Sequence, residues 1–330
     1  MKRSLLECLA CPDCGADILG DFEEELETGE LACSGCARTF PVVMGVPTML
    51  PTDGNLLAVR VAGEFAEQWK RYDEQREEYR PQLLDWLSPV KPEFFQGKTI
   101  LDGGCGKGRH LRIVGESGGA RVVGVDLGEA AYVARQATRH LPNVEVVRGD
   151  LLRLPFKPGY FDYAYSVGVL HHLPDPRGGF DSICSKVRTD GHVSAWVYGY
   201  ENNEWIVNWV TPFRERVSNR LPRAVLKNLS WLLAWGVKLV SKGVYQPWHR
   251  LFPTTPLFYR DYLLYIADMP HREIETIVYD QLNPMIAFYL RRDEFEQWFE
   301  SLEDVKIGWH NQNSWRGFAR KPANSSQKRA

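Results

Sequence analysis

A glycine-dense turn directly after a short apolar segment is the feature best placed to hold a ligand. Residues 99–111 read TILDGGCGKGRHL, so an acid, Asp102, precedes four glycines within six residues. The apolar residues predict a strand, and helix-compatible residues resume after the glycines. Glycine lets the backbone pass close beneath a ligand, and the free N–H groups of a helix start face a carboxylate or phosphate. The segment therefore predicts a strand, a tight loop and a helix start across which a small polar molecule lies.

Two further acids follow predicted strands. Asp126 ends a strand over 121–125, where a carboxylate can accept both hydroxyls of a ribose. Asp150 follows a strand over 144–147, where it can accept an adenine amino group. Taken alone, each acid is better explained as a solvated or capping carboxylate. The acids fall together at the carboxyl ends of parallel strands, and this favours a single site.

The spacing of Asp102 and Asp126 also suits a dinucleotide site, but the loop GGCGKG is not a G-x-G-x-x-G. Instead, ILDGGCGKG, VVGVDLG, VVRGDLLRLPF and FDYAYSVGVLHHLPDP resemble the successive motifs of class I S-adenosylmethionine-dependent methyltransferases. The style is that of the small-molecule type, which includes ubiquinone-pathway enzymes. The resemblance covers about residues 97–198. It departs at Gly103-Gly104, where many members have a single non-glycine residue between the acid and the glycine.

The resemblance implies S-adenosylmethionine as the cofactor and a role for each motif residue. Asp102 would hold the loop or meet the cofactor's ammonium group, Asp126 would bind the ribose, and Asp150 with Leu151 would frame the adenine. The full set of expected cofactor-binding residues is Asp102, Gly104, Gly106, Asp126, Leu127, Asp150, Leu151 and Val167.

His171 and His172 follow the predicted strand over 160–167, near where the methyl group would be exposed. An imidazole titrates near working pH, so either ring could act as general base on a hydroxyl or amine acceptor. The alternative is that both line the cofactor pocket, as VLHH does in similar family members. Transfer itself needs little protein chemistry, because the sulfonium is already activated and placement supplies most of the catalysis.

Two C-x-x-C pairs near the N-terminus indicate a metal site. Cys11 with Cys14 and Cys33 with Cys36 form two knuckles that can aim four thiolates at one ion, as in closed structural zinc sites. Cys8 also stands in C-x-x-C relation to Cys11. A site with four cysteine ligands has no open position for substrate, so the predicted role of the zinc is structural.

The segments LLECLACPDCGADIL and LACSGCARTFPVVMGVPTML are similar to the small Trm112-like zinc-ribbon family, over about the first fifty residues. Members of that family stabilise or activate methyltransferases, and related ribbons precede some ribosomal RNA methyltransferases. The resemblance, together with the proline and glycine that shape the turn, favours Cys11 and Cys14 over Cys8.

Length and charge set the remaining bounds. The chain has 330 residues, 25% of them charged, and a formal net charge of −2, so nothing attracts it globally to nucleic acid or membrane. The paired cysteines fit a reducing compartment. The N-terminus lacks the pattern of a signal peptide, and no run reaches the roughly 18 apolar residues of a spanning helix. The sequence therefore predicts a cytoplasmic protein.

Strand and helix patterns alternate from about residue 97, which predicts a doubly wound, mostly parallel seven-stranded α/β sheet. The predicted division is a zinc ribbon over 1–52, linker helices over 53–96, a methyltransferase core over 97–200 and 285–321, a helical cap inserted at 201–284 and a disordered tail over 322–330. A helix over 57–79 carries Phe65, Trp69 and Tyr72 on one side. It serves either as a connection packed on the core or as a lid over the cofactor.

The sequence pattern also predicts the last elements of the core. A turn at Asp190-Gly191-His192 predicts a fifth strand over 193–198. After the insertion, residues 291–299 predict a helix with Phe295, Trp298 and Phe299 inward, and 305–310 with 315–320 predict a closing strand pair.

The insertion is rich in tryptophan and basic residues and poor in acids. Its segment 225–240 (VLKNLSWLLAWGVKLV) is apolar enough to be buried but too short and too charged to span a membrane. Three roles compete: a cap over the substrate pocket, a surface that lies on a membrane, or a grip on RNA.

These patterns together predict an S-adenosylmethionine-dependent methyltransferase acting on an oxygen or nitrogen of a small-molecule or glycan acceptor, in one variant linked to lipid. The first alternative is a tRNA or rRNA methyltransferase, as the ribbon suggests. The second is a non-catalytic scaffold that binds the cofactor.

Overall fold

The computed structural model describes residues 1–71, 79–283 and 286–323, without the side chains of 64–71. The chain divides into two compact units. The first comprises Met1–Val197, Phe295–Gly308 and the residues from Arg316 on, and the second comprises Tyr198–Glu294 and Trp309–Trp315. Phe65, Trp69 and Tyr72, which define the predicted lid face, lie outside the described side chains, as do residues 324–330 of the predicted tail.

The described strands form one sheet in the order β1-β2-β3-β4-β7-β6-β5-β8-β9-β11-β10. Their bounds are β1 Ile18–Leu19, β2 Gly29–Cys33, β3 Thr39–Val43, β4 Val46–Met49, β5 Thr99–Gly103, β6 Arg121–Asp126, β7 Val144–Gly149, β8 Phe161–Val167, β9 Val187–Tyr198, β10 Glu303–His310 and β11 Ser314–Arg320.

The described α-helices are α1 Leu56–Arg71, α2 Tyr79–Trp86, α3 Arg109–Glu116, α4 Ala130–Thr138, α5 Pro176–Lys186, α6 Thr211–Arg216, α7 Arg223–Val240, α8 Gln246–Leu251, α9 Arg260–Ala267, α10 His271–Leu282 and α11 Arg292–Gln297. Within the described ranges, none of them has both the length and the apolar character needed to cross a bilayer.

The centre of the sheet is β5, and the chain reverses its direction of growth there. From β5 the chain builds β6 and β7 outward on one side, then returns to place β8 and β9 on the other, all in parallel pairing. Ligands bind at such a reversal point, beyond the carboxyl ends of the strands. The predicted doubly wound α/β fold is confirmed, and its reversal point coincides with the glycine-dense turn. The seven predicted strands correspond to β5 to β11, and β1 to β4 extend the sheet to eleven described strands.

The strands are apolar because both faces of this sheet are covered. Ile100 and Leu101 in β5 are adjacent and both fully buried, as are Val122 and Val123 in β6. A strand exposed on one face would alternate apolar with polar residues instead. The helix before β10 is anchored by the same rule, since Phe295 is fully buried and Trp298 and Phe299 nearly so, as predicted.

The N-terminal ribbon continues the central sheet. Strands β1 to β4 pair antiparallel with one another, and β4 then pairs parallel with β7 through Thr48 with Arg148 and Met49 with Gly149. The backbone of Lys157 also donates to the Cys8 carbonyl at 2.8 Å. Sequence reasoning treated the ribbon as a separate appendage and did not predict this continuity.

One local prediction differs from the structure. Strand β9 begins at Val187 rather than after a turn at 190–192, and its pairing with β8 shifts register between Phe161 and Tyr163. Asp190 lies within that irregularity with φ +58°, so the polar residues form a bulge in a longer strand. Residues 225–240 form most of α7, in which Leu232 and Trp235 are exposed.

Candidate functional site

The glycine-dense turn adopts the left-handed conformations that its composition predicts. Gly104, Gly106 and Gly108 have φ of +85°, +50° and +79°, values that residues with a Cβ rarely adopt. The turn is fixed to β6 because the backbone N–H groups of Gly104 and Cys105 donate to the Val125 carbonyl at 2.8 and 3.0 Å. The backbone beneath the expected ligand is therefore held in place before any ligand binds.

Asp126 fastens the same turn from the end of β6. One carboxylate oxygen accepts from Gly106 N–H and the other from Gly128 N–H, both at 2.9 Å. Packing around the side chain raises the pKa of Asp126, while those two backbone donors and Arg148 act to lower it. Each oxygen keeps a further lone pair, so the carboxylate can still accept ribose hydroxyls.

Asp102 is the buried acid at the centre of the site, in register with Gly124 on β6 and Tyr165 on β8. Its Oδ2 atom has no hydrogen-bond partner among the described residues. Burial raises the pKa of Asp102 to about 7; the Asp126 charge adds to the rise, and the nearby Tyr165 hydroxyl and Arg109 oppose it. A buried oxygen without a donor is costly to the fold, so this position fits a ligand that brings an N–H group.

The third acid also lies at a strand end. Asp150 directly follows β7, is nearly buried and accepts the Leu152 N–H at 2.9 Å. Its neighbour Leu151 lies beside the glycine turn, because a Cβ added at Gly103 would be 3.2 Å from Leu151 Cδ2. The predicted adenine-framing pair thus flanks the turn that Asp102 begins.

Two predicted residues line the outer part of this edge. Leu127 is half-buried, and its carbonyl accepts from Arg148 Nε at 3.1 Å. Val167 ends β8, opposite Trp196 on β9, and is almost completely buried. Both lie at the carboxyl edge of the sheet with the three acids.

The histidine pair forms a 3-10 turn, Leu170–His172, immediately after β8. The turn reaches the glycine loop through Val169, whose Cγ2 atom would be 2.5 Å from a Cβ added at Gly104. His171 is fully buried, with its ring centroid 4.3 Å from that of His172. Burial, with a smaller contribution from His172, holds the pKa of His171 well below its usual value, so its ring is neutral.

Four cysteine sulfurs come together in the ribbon. The Sγ atoms of Cys11, Cys14, Cys33 and Cys36 all lie within 4.8 Å of one another, with Cys14–Cys33 at 3.4 Å and Cys11–Cys36 at 3.8 Å. A tetrahedral ion with Zn–S bonds of about 2.3 Å places its sulfurs about 3.8 Å apart. The donor set and its spacing therefore fit structural zinc.

Cys8 takes no part in this cluster. Its thiol is buried, donates to the Leu5 carbonyl at 3.1 Å, and has a pKa raised to about 12 by burial. A group held as a neutral thiol and bonded to the backbone is a core residue. The alternative C-x-x-C pair of Cys8 with Cys11 is thereby set aside.

Comparison with known protein families identifies the kind of domain that contains the glycine turn and the strand-end acids. Residues 101–195, which contain the glycine turn, all three acids and the histidine pair, match the family model described as a methyltransferase domain. The chain carries a methyltransferase domain. Residues 2–45 match the model described as Trm112p-like protein, and these are the residues of the four-cysteine ribbon. Both predicted resemblances are confirmed, and the first implies S-adenosylmethionine as the cofactor.

Similar proteins match only parts of the chain. A tRNA U34 carboxymethyltransferase of Actinobacillus succinogenes is 34% identical over 116 residues, which cover 34% of this chain and 34% of that protein. A ubiquinone biosynthesis O-methyltransferase of Ralstonia nicotianae is 32% identical over 144 residues, which cover 39% of this chain and 56% of that protein. The chain thus spans about a third and just over half of the length of these relatives.

Among solved structures, the magnesium protoporphyrin IX methyltransferase of Synechocystis PCC 6803 with bound S-adenosylmethionine aligns with a TM-score of 0.44. The two sequences are 12% identical, and the alignment covers 82% of this chain and all of that one.

A cluster of cations and aromatic rings that sequence reasoning missed lies beside the glycine turn. Lys107, within the glycine turn, is buried, and its Nζ lies 3.2 Å from the Tyr79 hydroxyl. Arg109, at the start of α3, lies over the rings of Tyr79 and Trp86 at 5.2 and 5.5 Å. Trp86 in turn packs on Trp196, with ring centroids 4.9 Å apart. A cluster of cations and aromatic rings therefore adjoins the turn, and the only local signal for it was the aromatic content of 53–96.

Asp102 makes the stability of the domain depend on pH. The folded-state pKa of about 7 lies above the ordinary value of about 3.9, so the folded chain binds this proton more tightly than the unfolded chain. Deprotonation as the pH rises between those values lowers the free energy of unfolding, by up to about 1.4 kcal/mol per pH unit. Asp102→Asn has no carboxyl group to titrate, so its free energy of unfolding lacks this dependence on pH.

We expect the free energy of unfolding of wild type to fall relative to that of Asp102→Asn between pH 5 and 7, and the difference to level off above pH 7. Urea denaturation at each pH measures both proteins under identical zinc loading. A constant difference between the two proteins across this window would rule out the raised pKa.

Proposed function

We propose that this chain transfers a methyl group from S-adenosylmethionine to an oxygen or nitrogen of a small-molecule or glycan acceptor. The observation that carries the proposal is the buried, unpartnered oxygen of Asp102, at the reversal point of a matching methyltransferase domain. When bound, S-adenosylmethionine supplies a methyl group that its sulfonium has already activated. The protein's task is then to bind, orient and exclude water.

The strand-end residues have distinct roles in this proposal. Asp102 accepts a hydrogen bond from the ammonium group, and Asp126 accepts from the ribose hydroxyls while it keeps the turn in place. Asp150 and Leu151 frame the adenine. The remaining contacts are with the backbone of Gly104 and Gly106 and with the side chains of Leu127 and Val167.

The histidine pair has two proposed roles. The neutral ring of His171 is fully buried, so it fits the lining of the pocket. His172 keeps a small exposed fraction and is the better placed of the two to take a proton from an acceptor hydroxyl or amine. The zinc has no part in transfer, because a site with four cysteine ligands offers no open position. The zinc-bound cysteines fit a reducing compartment, so we place the protein in the cytoplasm.

Loss of the Asp126 carboxylate tests the cofactor assignment. Two hydrogen bonds to a charged group are worth about 1.5–3 kcal/mol each, so Asp126→Ala should weaken S-adenosylmethionine binding by more than about 100-fold. Calorimetric titration of zinc-loaded protein measures this, and we expect a dissociation constant in the micromolar range for wild type. Asp181→Ala, which removes an exposed carboxylate of the same unit, should bind as wild type does.

Asp126 also holds the glycine turn, so the thermal unfolding of Asp126→Ala must be measured beside the titration. Weak binding with an intact unfolding transition supports the assignment. Equal binding by wild type and Asp126→Ala would refute the ribose role. Absence of binding by wild type would refute both the methyltransferase proposal and the alternative of a scaffold that binds the cofactor.

A second candidate acceptor is tRNA. It is favoured by the name of the relative that matches 34% of this chain, a tRNA U34 carboxymethyltransferase. Incubation with labelled S-adenosylmethionine and bulk tRNA distinguishes the two acceptor classes. Label in tRNA, with affinity that falls steeply as salt increases, would favour RNA over a small molecule.

A further inference from the structure

Helix α7 in the second unit packs on α10 but leaves several of its large apolar side chains exposed. Its buried positions are Leu226, Ser230 and Ala234, so small residues form most of the face that packs. Leu232 and Leu239 are 61% and 73% exposed. An ordinary amphipathic helix of a globular protein has the opposite arrangement, with its large apolar residues toward the core. The outer face of α7 therefore lacks the environment that its side chains favour.

This outer face is continuous along the helix. Val225, Leu232, Trp235 and Leu239 recur at intervals of seven, three and four residues, which places them on one side, opposite the buried positions. Trp231 is also exposed, and both tryptophans remain about half exposed although their rings lie 5.6 and 4.4 Å from that of His271 at the start of α10. The apolar surface is therefore broad as well as long.

Exposed apolar residues continue through the segments on either side of α7. Monomeric proteins rarely expose a large contiguous apolar surface unless it binds something. In 206–259 outside α7, the described exposed members are Trp209, Phe213, Val217, Val244, Trp248, Leu251, Phe252 and Phe258.

The charge of the same stretch indicates what binds there. Residues 206–259 contain eight lysines and arginines but one acid, Glu215, in a chain whose formal net charge is −2. Arg214 is buried and donates to the Gln281 carbonyl, and Lys242 lies 3.5 Å from Asp268. The other basic residues of the stretch are Arg216, Arg220, Arg223, Lys227, Lys238 and Arg250. On α7, Lys227 falls between the buried positions and the apolar face, where a lysine can keep its ammonium group in the headgroup layer. Lys238 lies on the same side and donates to the Met269 carbonyl at 3.1 Å.

We propose that the surface formed by residues 206–259 docks the protein on the face of a lipid bilayer that contains anionic phospholipids. Helices with tryptophan and leucine on one face and basic residues beside it lie in the plane of the headgroups, with the apolar face inserted. Each basic residue near an anionic surface adds to the attraction. The helix lies on the bilayer rather than across it, because α7 carries charged residues along its length.

Other occupants fit these observations less well. RNA is bound by cations on phosphates and by aromatic rings on bases, and neither interaction uses the exposed leucines and valines. A second copy of the chain would bring two strongly basic segments together, and like charges repel. An anionic bilayer satisfies both the apolar and the basic residues.

Flotation of the full-length, zinc-loaded chain with vesicles tests the proposal. The vesicles are phosphatidylcholine alone or phosphatidylcholine mixed with phosphatidylglycerol. Wild type should float with the mixed vesicles and remain at the bottom with the neutral ones. The double variant Leu232→Gln/Leu239→Gln should lose more than about tenfold in bound fraction, because it removes two inserted side chains. Arg216→Gln/Arg220→Gln should also float less with the mixed vesicles.

The matched control is Leu19→Gln/Leu56→Gln, which replaces two leucines of the first unit that are 56% and 81% exposed. It should float as wild type does, and circular dichroism should show all variants folded. No flotation of wild type with the mixed vesicles, or equal flotation of wild type and Leu232→Gln/Leu239→Gln, would overturn the proposal. If wild type does not float but binds tRNA or forms a dimer, and Leu232→Gln/Leu239→Gln abolishes that tRNA binding or that dimer, the occupant of the surface is RNA or a second copy, and the proposal is also overturned.

Discussion

Removal of two zinc ligands should abolish metal binding and destabilise the methyltransferase domain beside the ribbon. We expect one zinc per chain in wild type and none in Cys14→Ser/Cys36→Ser, measured by metal analysis after gel filtration. Structural zinc in zinc-finger peptides binds with a free energy of about 10–16 kcal/mol at neutral pH. Because the unfolded chain has no preformed site, loss of the zinc lowers the free energy of unfolding by a large part of that amount. The expected result is a large fall in the urea midpoint of the whole first unit.

The effect should extend beyond the ribbon because the ribbon is part of the sheet. Strand β4 pairs with β7, and β7 leads directly into Asp150. Asp13, between two of the cysteines, also accepts from the backbone of Thr52 at 3.1 Å. Loss of zinc therefore releases one edge of the strand that positions a predicted adenine-binding residue, and S-adenosylmethionine affinity should fall with stability.

Cys8→Ser is the matched control, since a serine hydroxyl can replace the thiol that donates to the Leu5 carbonyl. It should keep one zinc and nearly the stability of wild type. Zinc retained by Cys14→Ser/Cys36→Ser, or zinc lost without a change in the urea midpoint, would refute the structural role of the metal.

The site was predictable where its residues follow one another along strands and turns. The composition of 102–108, an acid followed by glycines, predicts a turn. Asp126 and Asp150 each follow a short apolar run that predicts a buried strand. Parallel strands place their carboxyl ends together, so proximity of the three acids followed from the predicted topology. The same argument predicted the four-cysteine cluster from two short spacings.

Long-range contacts gave no such signal. The pairing of β4 with β7 joins residues about a hundred positions apart, and nothing in the pattern of 46–49 specifies that partner. The rings of Tyr79 and Trp86 reach the cations of the turn from a helix assigned only to a linker. The apolar composition of 225–240 left three roles open for a similar reason, because composition does not specify what covers the outer face of α7.

Substitution of Gly104 by alanine should destabilise the protein more than the same substitution at Gly97, a glycine with a similar φ outside the turn. Gly104 has φ +85°, and an added Cβ would lie 2.5 Å from Val169 Cγ2. Gly97 has φ +68°, and nothing lies within 4 Å of the position of its Cβ. The left-handed conformation costs about 1–2 kcal/mol for a residue with a Cβ, whereas overpacking adds about 1–3 kcal/mol.

We therefore expect the free energy of unfolding to fall by about 1–2 kcal/mol in Gly97→Ala and by about 2–5 kcal/mol in Gly104→Ala. Only Gly104→Ala should also weaken S-adenosylmethionine binding. Its clash with Val169 can be removed separately, and the cycle of Gly104→Ala, Val169→Ala and the double variant isolates it. The double variant should be more stable than the sum of the single effects, by the overpacking energy. Additive changes in the free energy of unfolding would show that Gly104 and Val169 are not in contact. They would also remove the basis for placing His171 and His172 at the cofactor.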